Sequence, residues 1–287
     1  MALRLTLEDV SYSYPLPGRQ DAPALTGINV TVEPGAIFCV AGANGSGKST
    51  LAQVCAGLLA PSSGFVLYGD KIIEGRGDFL EFRRRVGLLF QSPEDQLFAD
   101  TVEKDIAFGP RNHGLKGDEL KAAVRDAAEL VGLSLKELGA RSPFSLSEGE
   151  KRRVALAGVL ALNPDVLILD EPFIGLDYDG REGLKSSLER YNREREASIM
   201  IVTHELSDVW HIATTFALLS DGRLLRFDRK SDLLSGELDL SALGMRLPQW
   251  GVLARELLRS GVSVSDPADP RAIATAIATH REARGGR

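Results

Sequence analysis

The sequence predicts an α/β fold in which a parallel sheet carries a phosphate-binding loop. Residues 42–50 read Gly-Ala-Asn-Gly-Ser-Gly-Lys-Ser-Thr and fit the pattern G-x-x-x-x-G-K-[ST] at every fixed position. The loop lies between an apolar, strand-like run and a segment with helical spacing. Further along, strand-like runs at 166–169 and 198–202 each follow a helical segment, an alternation typical of parallel βαβ units.

Composition indicates a globular protein with one large domain and a small appendage. The chain has 287 residues, a formal net charge of −6 and 44% hydrophobic residues. No apolar run approaches the roughly 20 residues of a membrane-spanning helix. The acidic balance disfavours broad nucleic-acid binding. Cys39 and Cys55 are expected to be buried free thiols rather than a disulfide or a metal site.

The first part of the chain alternates between strand-like and turn-like segments. Period-2 and apolar runs predict strands at 3–14, 26–32, 36–41, 65–68 and 86–90. The apolar spacing of residues 51–59 predicts the helix that follows the glycine-rich loop. From Gln91 to about Leu146 charged and small residues dominate, and a mainly helical insertion is expected there.

The remainder of the chain predicts a return to the sheet and then a separate helical piece. Residues 215–220 and 223–227 flank the turn Asp221-Gly222 and predict a hairpin, and helices are expected at 252–258 and 271–280. The domain division predicted from these patterns is a main domain over 1–229 and a C-terminal helical extension over 230–287. The helical subdomain of the main domain would span about 91–162.

The glycine-rich loop predicts a nucleotide phosphate site. Its glycines let successive backbone N–H groups turn toward one anion, and the next helix adds its positive N-terminal end. Lys48 can reach the β- and γ-phosphates, and Ser49 can ligate Mg²⁺. The residues expected to contact the phosphates are Gly42, Asn44, Gly45, Ser46, Gly47, Lys48, Ser49 and Thr50.

Two carboxylates end the apolar run at 166–169. Because parallel strands deliver their last side chains to one edge of the sheet, Asp170 and Glu171 should lie where the glycine-rich loop opens. Asp170 is then placed to hold the Mg²⁺ shell, and Glu171 is placed to polarise a water against the γ-phosphate.

A second anion site is suggested before the basic run Lys151-Arg152-Arg153. Ser147 and Glu150 have the spacing of a capping box, so a helix should begin there with exposed N–H groups. By spacing alone, an ordinary capped helix is the better interpretation.

In combination, these motifs resemble those of ATP-binding cassette (ABC) transporter ATPases over about residues 3–227. That family carries an aromatic stacking residue, a P-loop, a Q-loop, an LSGGQ signature, a Walker B strand, a D-loop and an H-loop, in this order. The matching positions are Tyr14, 42–50, Gln91, 146–150, Asp170-Glu171, 175–177 and His204. The resemblance implies a P-loop NTPase with a RecA-like core, an antiparallel β subdomain and a helical subdomain, and it implies ATP and Mg²⁺ as cofactors.

The resemblance also implies roles for the remaining positions. Tyr14 would stack on adenine, with Tyr12 as the alternative. Gln91 would approach Mg²⁺ and the attacking water, and His204 would contact the γ-phosphate and keep Glu171 and the water aligned.

In the family two such domains sandwich two ATP molecules. The signature of one subunit then meets the ATP held by the other, so Ser147, Glu148, Gly149 and Glu150 would act on the partner's ATP. Asp177 of the D-loop would cross the interface. The signature here reads Leu-Ser-Glu-Gly-Glu instead of Leu-Ser-Gly-Gly-Gln. Glu148 is expected to point outward, because an inward carboxylate would repel the γ-phosphate.

A narrower resemblance is to the energy-coupling factor (ECF) branch, whose ATPases serve vitamin and cobalt or nickel uptake. The segments that carry it are 91–98, 101–103, 107–110 and the Gly-Met-Arg-Leu-Pro run at 244–248. It implies a subunit at the cytoplasmic face of the membrane, with three kinds of partner. These are a second ATPase subunit in a homodimer or heterodimer, a transmembrane scaffold protein and a substrate-binding membrane subunit.

Two alternatives stay open at the sequence level. The first is the ATPase of an ordinary binding-protein-dependent ABC importer, which the segment around Gln96 and the C-terminal extension disfavour. The second is a non-transport ABC ATPase acting on DNA or ribosomes, which is disfavoured because this chain has one cassette and a short helical insertion.

Overall fold

Two β-sheets and the helices around them form the fold in a computed structural model. The structure describes residues 3–17, 21–227, 233–234, 240, 245, 247–267 and 269–285. Within these residues the strands are β1 (Leu5–Tyr14), β2 (Ala22–Val32), β3 (Ile37–Ala41), β4 (Ser63–Tyr68), β5 (Lys71–Ile72), β6 (Val86–Leu89), β7 (Val166–Asp170), β8 (Ser198–Thr203), β9 (Thr215–Ser220) and β10 (Arg223–Phe227).

The helices surround the sheets and form most of the insertion. They are α1 (Lys48–Cys55), α2 (Gly75–Phe82), α3 (Val102–Asn112), α4 (Gly117–Leu130), α5 (Leu135–Leu138), α6 (Glu148–Leu160), α7 (Tyr178–Arg195), α8 (Leu206–Val209), α9 (Gln249–Arg259) and α10 (Pro270–Gly285). None of the helices in the described ranges is long and apolar enough to cross a membrane.

The larger sheet has the strand order β10-β9-β3-β8-β7-β6. Strands β9, β3, β8, β7 and β6 run parallel, and only the β9–β10 hairpin pair is antiparallel. The smaller sheet, in the order β2-β1-β4-β5, is antiparallel throughout. The α/β fold with a second, antiparallel sheet is therefore confirmed.

The central parallel strands are apolar because both of their faces are covered. In β3, Ile37, Cys39 and Ala41 face one hydrophobic core, which contains the helices of the insertion. Phe38 and Val40 face the other core, which contains α1 and the antiparallel sheet. Burial on both faces accounts for continuous apolar runs where a half-exposed strand would alternate.

The helix after the glycine-rich loop begins earlier and ends earlier than the sequence predicts. Helix α1 spans Lys48–Cys55 rather than residues 51–59. Its N-cap, Gly47, has a φ of 100°, a left-handed conformation that glycine adopts at no steric cost, and this turn lets Lys48 be the first helical residue.

Three of the elements named above were not predicted at all, and one of them is the four-residue helix α8. Strand β5 has only two residues, both exposed. Helix α2 buries one side chain, Phe82, so its sequence shows no clear apolar stripe.

The C-terminal helices pack on the core that contains the insertion. Ala254 of α9 and Ile273 of α10 are buried members of that core. The proposed domain boundary at 229/230, and Gly244 and Arg246 of the Gly-Met-Arg-Leu-Pro run, lie outside the described residues.

Both cysteines are free and fully buried, one on each side of the parallel sheet. Burial raises the pKa of the Cys55 thiol to about 12. The pKa of Cys39 is raised as well, by burial and then by the negative charge of Glu171. Because the thiolate is the nucleophile, both side chains should be inert in the native protein.

We expect iodoacetamide at pH 8 to leave Cys39 and Cys55 unmodified in the folded chain, with mass spectrometry as the measurement. The control is the same reaction in concentrated urea, where both thiols should be alkylated. Rapid alkylation of either cysteine in the native protein would contradict the buried placement.

Candidate functional site

The glycine-rich loop leaves the carboxyl end of β3 and is fixed by close backbone packing. The Gly42 N–H donates to the Thr203 carbonyl at 3.2 Å. A Cβ on Gly42 would lie 2.4 Å from the Leu219 carbonyl oxygen, and one on Gly47 would lie 2.6 Å from the Ala24 carbonyl oxygen. Glycine is therefore required at both positions for the loop to sit against its neighbours.

Lys48 lies inside the curve of this loop. Its Nζ donates to the carbonyl oxygens of Gly42 at 2.8 Å and Ala43 at 2.9 Å, and it lies 3.7 Å from Glu171 Oε1. The side chain is only 7% exposed. Burial lowers the pKa of Lys48, and the nearby charges of Glu171 and Asp170 oppose that shift. The ammonium group is thus held at the loop by two of the loop's own carbonyl oxygens.

Glu171 follows the carboxyl end of β7 and is held by several donors. Its Oε2 accepts from the Thr203 hydroxyl at 3.0 Å and from the His204 backbone N–H at 3.3 Å. Its Oε1 lies 2.9 Å from His204 Nδ1. Glu171 has a φ of 50°, in the left-handed region that costs a non-glycine residue free energy. These contacts aim the carboxylate at Lys48.

Asp170, the last residue of β7, combines two features of a cation ligand. The neighbouring Ser49 side chain acts on it as a hydrogen-bonding group, and the Asp170 Oδ1 is buried without a hydrogen-bond partner among the described residues. Burial raises the pKa of this carboxyl, hydrogen bonding with Ser49 opposes that rise, and the charge of Glu171 adds to it. The carboxylate oxygen of Asp170 and the hydroxyl of Ser49 are hard oxygen donors and fit Mg²⁺. Gln91, which lines the same cavity as Ser49, offers an amide oxygen of the same kind.

One cavity of about 720 Å³ brings most of the predicted nucleotide residues together. It is lined by Tyr14, Asn44, Gly45, Gly47, Lys48, Ser49, Thr50, Gln91, Glu171 and His204, together with residues of β2 and the β9–β10 turn. The volume lies in the range typical of small-molecule sites.

Tyr14, rather than Tyr12, faces this cavity. Tyr14 is 39% exposed, and its hydroxyl lies 3.1 Å from Thr50 Oγ1. The Tyr12 ring meets it edge-on at 5.0 Å and packs against the hydrophobic core. The exposed face of Tyr14 is thus the one available to a flat ligand.

The predicted capping box is present at the start of α6. Glu150 Oε2 accepts from the Ser147 backbone N–H at 2.9 Å and from its hydroxyl at 2.7 Å, and Ser147 Oγ accepts from the Glu150 N–H at 3.4 Å. The hydrogen bonds from Ser147 hold the pKa of the Glu150 carboxyl below its usual range. The Glu148 carboxylate is exposed and pairs with Lys151 Nζ at 2.8 Å.

The signature segment and the D-loop do not share the phosphate cavity. Gly149 and Asp177 line a different cavity of about 540 Å³, between α4, α6 and α7. Asp177 is the N-cap of α7 and accepts from the Gly180 N–H at 2.8 Å. Within one chain the structure therefore brings together the P-loop, Gln91, Walker B and His204 segments, but not the segment 147–150.

Three side chains near the site were missed from the sequence. The Thr203 hydroxyl donates a hydrogen bond to Glu171. The sequence feature that could have pointed to Thr203 is its position at the end of a buried strand, next to His204. Arg181 binds both the Leu176 carbonyl and Asp208. The sequence feature that could have pointed to Arg181 is its position about one helical turn after Asp177. Since Asp208 is far from Arg181 in sequence, no local pattern could have found their pairing.

Comparison with known proteins places this arrangement in a family. A family model described as ABC transporter matches residues 25–174. The energy-coupling factor transporter ATP-binding protein EcfA2 of Clostridium acetobutylicum is 40% identical over 264 residues, covering 91% of this chain and 92% of its own. The EcfA2 protein of Geobacillus kaustophilus is also 40% identical, over 267 residues, with 92% of each chain covered.

A solved structure supports the same family assignment. The structure of cbiO1 from Clostridium perfringens, described as part of the ABC transporter complex cbiONQ, is 35% identical with a TM-score of 0.74. The alignment covers 88% of this chain and 99% of that one. With relatives of this identity matched over nearly their whole length, the chain belongs to the ABC transporter ATP-binding proteins, within their energy-coupling factor branch.

Proposed function

We propose that this chain is the ATP-hydrolysing subunit that energises an ECF-type importer of a vitamin or a transition-metal ion. The observation that carries the proposal is the placement of Glu171 opposite Lys48. The carboxylate is held by Thr203 and His204 and lies 3.7 Å from the Lys48 ammonium, in a cavity lined by the phosphate loop. A carboxylate so fixed beside a phosphate site is suited to activate water.

In the proposed hydrolysis each side chain acts from the position that it has in the structure. The loop N–H groups and Lys48 bind the phosphates, and Lys48 exchanges its bonds to the Gly42 and Ala43 carbonyls for phosphate oxygens. Glu171 takes a proton from the water whose oxygen attacks the γ-phosphorus, and His204 keeps the carboxylate aligned. The bond between the γ-phosphorus and the bridging oxygen then breaks, and ADP leaves with the electron pair. Orientation of this kind lowers the barrier because no group has to be reorganised during the reaction.

Mg²⁺ would be held by Ser49, Asp170 and Gln91. The unpartnered Oδ1 of Asp170 supports this assignment, because a buried carboxylate oxygen is costly unless it is ligated or hydrogen-bonded. When bound, the ion neutralises negative charge that develops on the phosphates.

A second ATPase subunit would complete the site. Ser147, Glu148, Gly149 and Glu150 lie away from this chain's own phosphate cavity, which supports their acting on the ATP of a homodimeric or heterodimeric partner. Asp177 would lie at that interface. In this proposal residues 1–229 form the nucleotide-binding domain, with 91–162 as its helical subdomain, and residues 230–287 contribute dimer contacts.

The remaining partners would be membrane proteins: a transmembrane scaffold and a substrate-binding subunit, with this chain at the cytoplasmic face and no nucleic acid involved. The names of the relatives support this assignment. So does an exposed aromatic pair after the Q-loop, Phe98 and Phe108, whose rings meet at 4.5 Å and whose exposures are 56% and 47%. An apolar patch of this kind suits a helix of the scaffold protein.

The Glu171→Gln variant tests the proposed chemistry. It removes the general base but keeps the size of the side chain, so ATP hydrolysis should fall about 100-fold or more while MgATP binding is retained. The exposed Glu194→Gln is the matched control and should hydrolyse ATP at the wild-type rate. Unchanged hydrolysis in Glu171→Gln would refute the assignment of the base.

Purification of the wild-type chain with its partners tests the assignment to an importer. The tagged wild-type chain, purified from membranes in detergent, should bring down a second ATPase and two kinds of membrane protein, identified by mass spectrometry. Recovery of nucleic acid instead, in a salt-sensitive complex, would overturn the transport proposal.

Tyr14 should contribute to ATP affinity through its ring. Stacking of a base on an aromatic ring is worth about 1–3 kcal/mol, so Tyr14→Ala should weaken ATP binding by about tenfold or more. Tyr14→Phe loses only the contact with Thr50 and should bind within about twofold of wild type. Titration with a fluorescent ATP analogue measures both, and an equal loss in the two variants would assign the effect to the hydroxyl.

Glu148 should not impede turnover, because Lys151 neutralises it and holds it at the surface. We expect Glu148→Gly to hydrolyse ATP within about threefold of the wild-type rate, whereas Lys151→Gln, which frees the carboxylate, should slow hydrolysis. A large rate increase in Glu148→Gly would show that the carboxylate opposes the partner's phosphate.

A further inference from the structure

Arg181, in the first turn of α7, joins two segments of the site through three hydrogen bonds. Its Nη1 donates to both carboxylate oxygens of Asp208, at 2.7 and 2.9 Å. Its Nε donates to the Leu176 carbonyl at 3.1 Å. The Asp208 side chain is only 10% exposed, whereas that of Arg181 is 37% exposed, so the carboxylate is the shielded partner of this ion pair.

The three hydrogen bonds of Arg181 form a bridge between Leu176 and Asp208. Each end of this bridge belongs to a segment that has a role in the proposed ATPase function. Leu176 immediately precedes Asp177, the D-loop residue and N-cap of α7. Asp208 lies in α8, the short helix that begins two residues after His204. His204 in turn contacts Glu171 at 2.9 Å. A continuous path of bonded groups therefore runs from the D-loop through Arg181 to the residue that holds the catalytic carboxylate.

The chemistry of arginine makes this bridge specific. Its planar guanidinium presents several donors in fixed directions, so one group can satisfy a carboxylate and a carbonyl at once. A lysine can pair with Asp208, but its three donors all start from one nitrogen. It therefore does not reproduce the separate Nε and Nη1 donors from which the Leu176 carbonyl and Asp208 accept. Loss of the cation altogether would leave a nearly buried carboxylate unpaired, which destabilises a fold.

We propose that Arg181 is a positioning residue that couples the D-loop to the His204 segment of the same subunit. It holds the backbone beside Asp177 at a fixed distance from α8, so that a shift of the D-loop at the dimer interface moves His204 and Glu171. This inference rests on the proposed ATPase function. The competing explanation is an ion pair that only stabilises the fold.

The two explanations differ in what each Arg181 variant should do. Arg181→Lys keeps the charge pair and loses the Leu176 bond. Arg181→Leu combined with Asp208→Leu removes both charges, so no unpaired ion is buried, and it also loses the Leu176 bond. If the bridge is only structural, both variants should be active once they are folded. If it positions the D-loop, both should be folded and slow.

An intrinsic reporter lies next to the bridge. The only two tryptophans of the sequence are Trp210, directly after α8, and Trp250 of α9, and their ring centroids are 5.2 Å apart. Trp210 is fully buried. Tryptophan fluorescence therefore reports on the end of α8 without an added label.

The experiment measures kcat and KM for MgATP and the melting temperature in the full chain within its purified assembly. The change in tryptophan fluorescence on addition of MgATP is measured in the purified full chain alone, where Trp210 and Trp250 are the only tryptophans. For Arg181→Lys and the double variant we expect kcat to fall about tenfold with KM within twofold of wild type. Their melting temperatures should lie near the wild-type value, and the fluorescence response should be reduced. Arg190→Gln, which breaks an exposed pair with Glu194 on the same helix, is the matched control and should behave as wild type.

A wild-type kcat in Arg181→Lys, or recovery of kcat to within twofold of wild type in the double variant, would overturn the proposal. If the wild-type assembly itself hydrolyses no ATP, the ATPase proposal fails. The fluorescence responses of wild type and Arg181→Lys would then still decide whether Arg181 couples nucleotide binding to α8.

Discussion

The register of the three central parallel strands is the constraint on which the site depends. Ala41 of β3 pairs with Thr203 of β8, and Asp170 of β7 pairs with Val202 of β8, so all three strands end at the same level. The glycine-rich loop, the two carboxylates and His204 each begin within two residues of those ends. Because both faces of the strands are buried, a one-residue slip would exchange the two cores, and the register is strongly specified. The positions of the chemical groups follow from hydrophobic packing.

The sequence predicted this edge well because each of its parts is local. The glycine pattern, the apolar run that ends in Asp170 and Glu171, and His204 after β8 are all adjacent to strands whose burial is visible as continuous apolar residues. The choice between Tyr12 and Tyr14 could only be left open, because residues two apart lie on the same face of a strand. Which of the two rings reaches the cavity depends on how far along β1 the cavity lies, and only the folded chain shows this. The start of α1 at Lys48 required the conformation of Gly47, which its identity permits but does not dictate.

The parts that could not be predicted depend on contacts between distant segments. Helix α2 buries only Phe82, so hydrophobic periodicity could not reveal it. The bridge from Arg181 to Asp208 spans 27 positions and is formed by two helices that meet only in the folded chain. The contact between Trp210 and Trp250, which attaches α9 to the end of α8, is likewise invisible to any local pattern. These contacts connect the site to the rest of the molecule, whereas the local motifs supply its chemistry.

The hydrogen bond between His204 and Glu171 has a consequence for the orientation of the imidazole ring. The Nδ1 atom of His204 lies 2.9 Å from Glu171 Oε1, so this nitrogen is committed to the carboxylate. The second ring nitrogen, Nε2, is a distinct atom on the other side of the ring and is directed away from Glu171. A ligand in the cavity can therefore meet His204 at its Nε2 edge without disturbing Glu171, whereas a ligand that displaced Nδ1 would release the carboxylate.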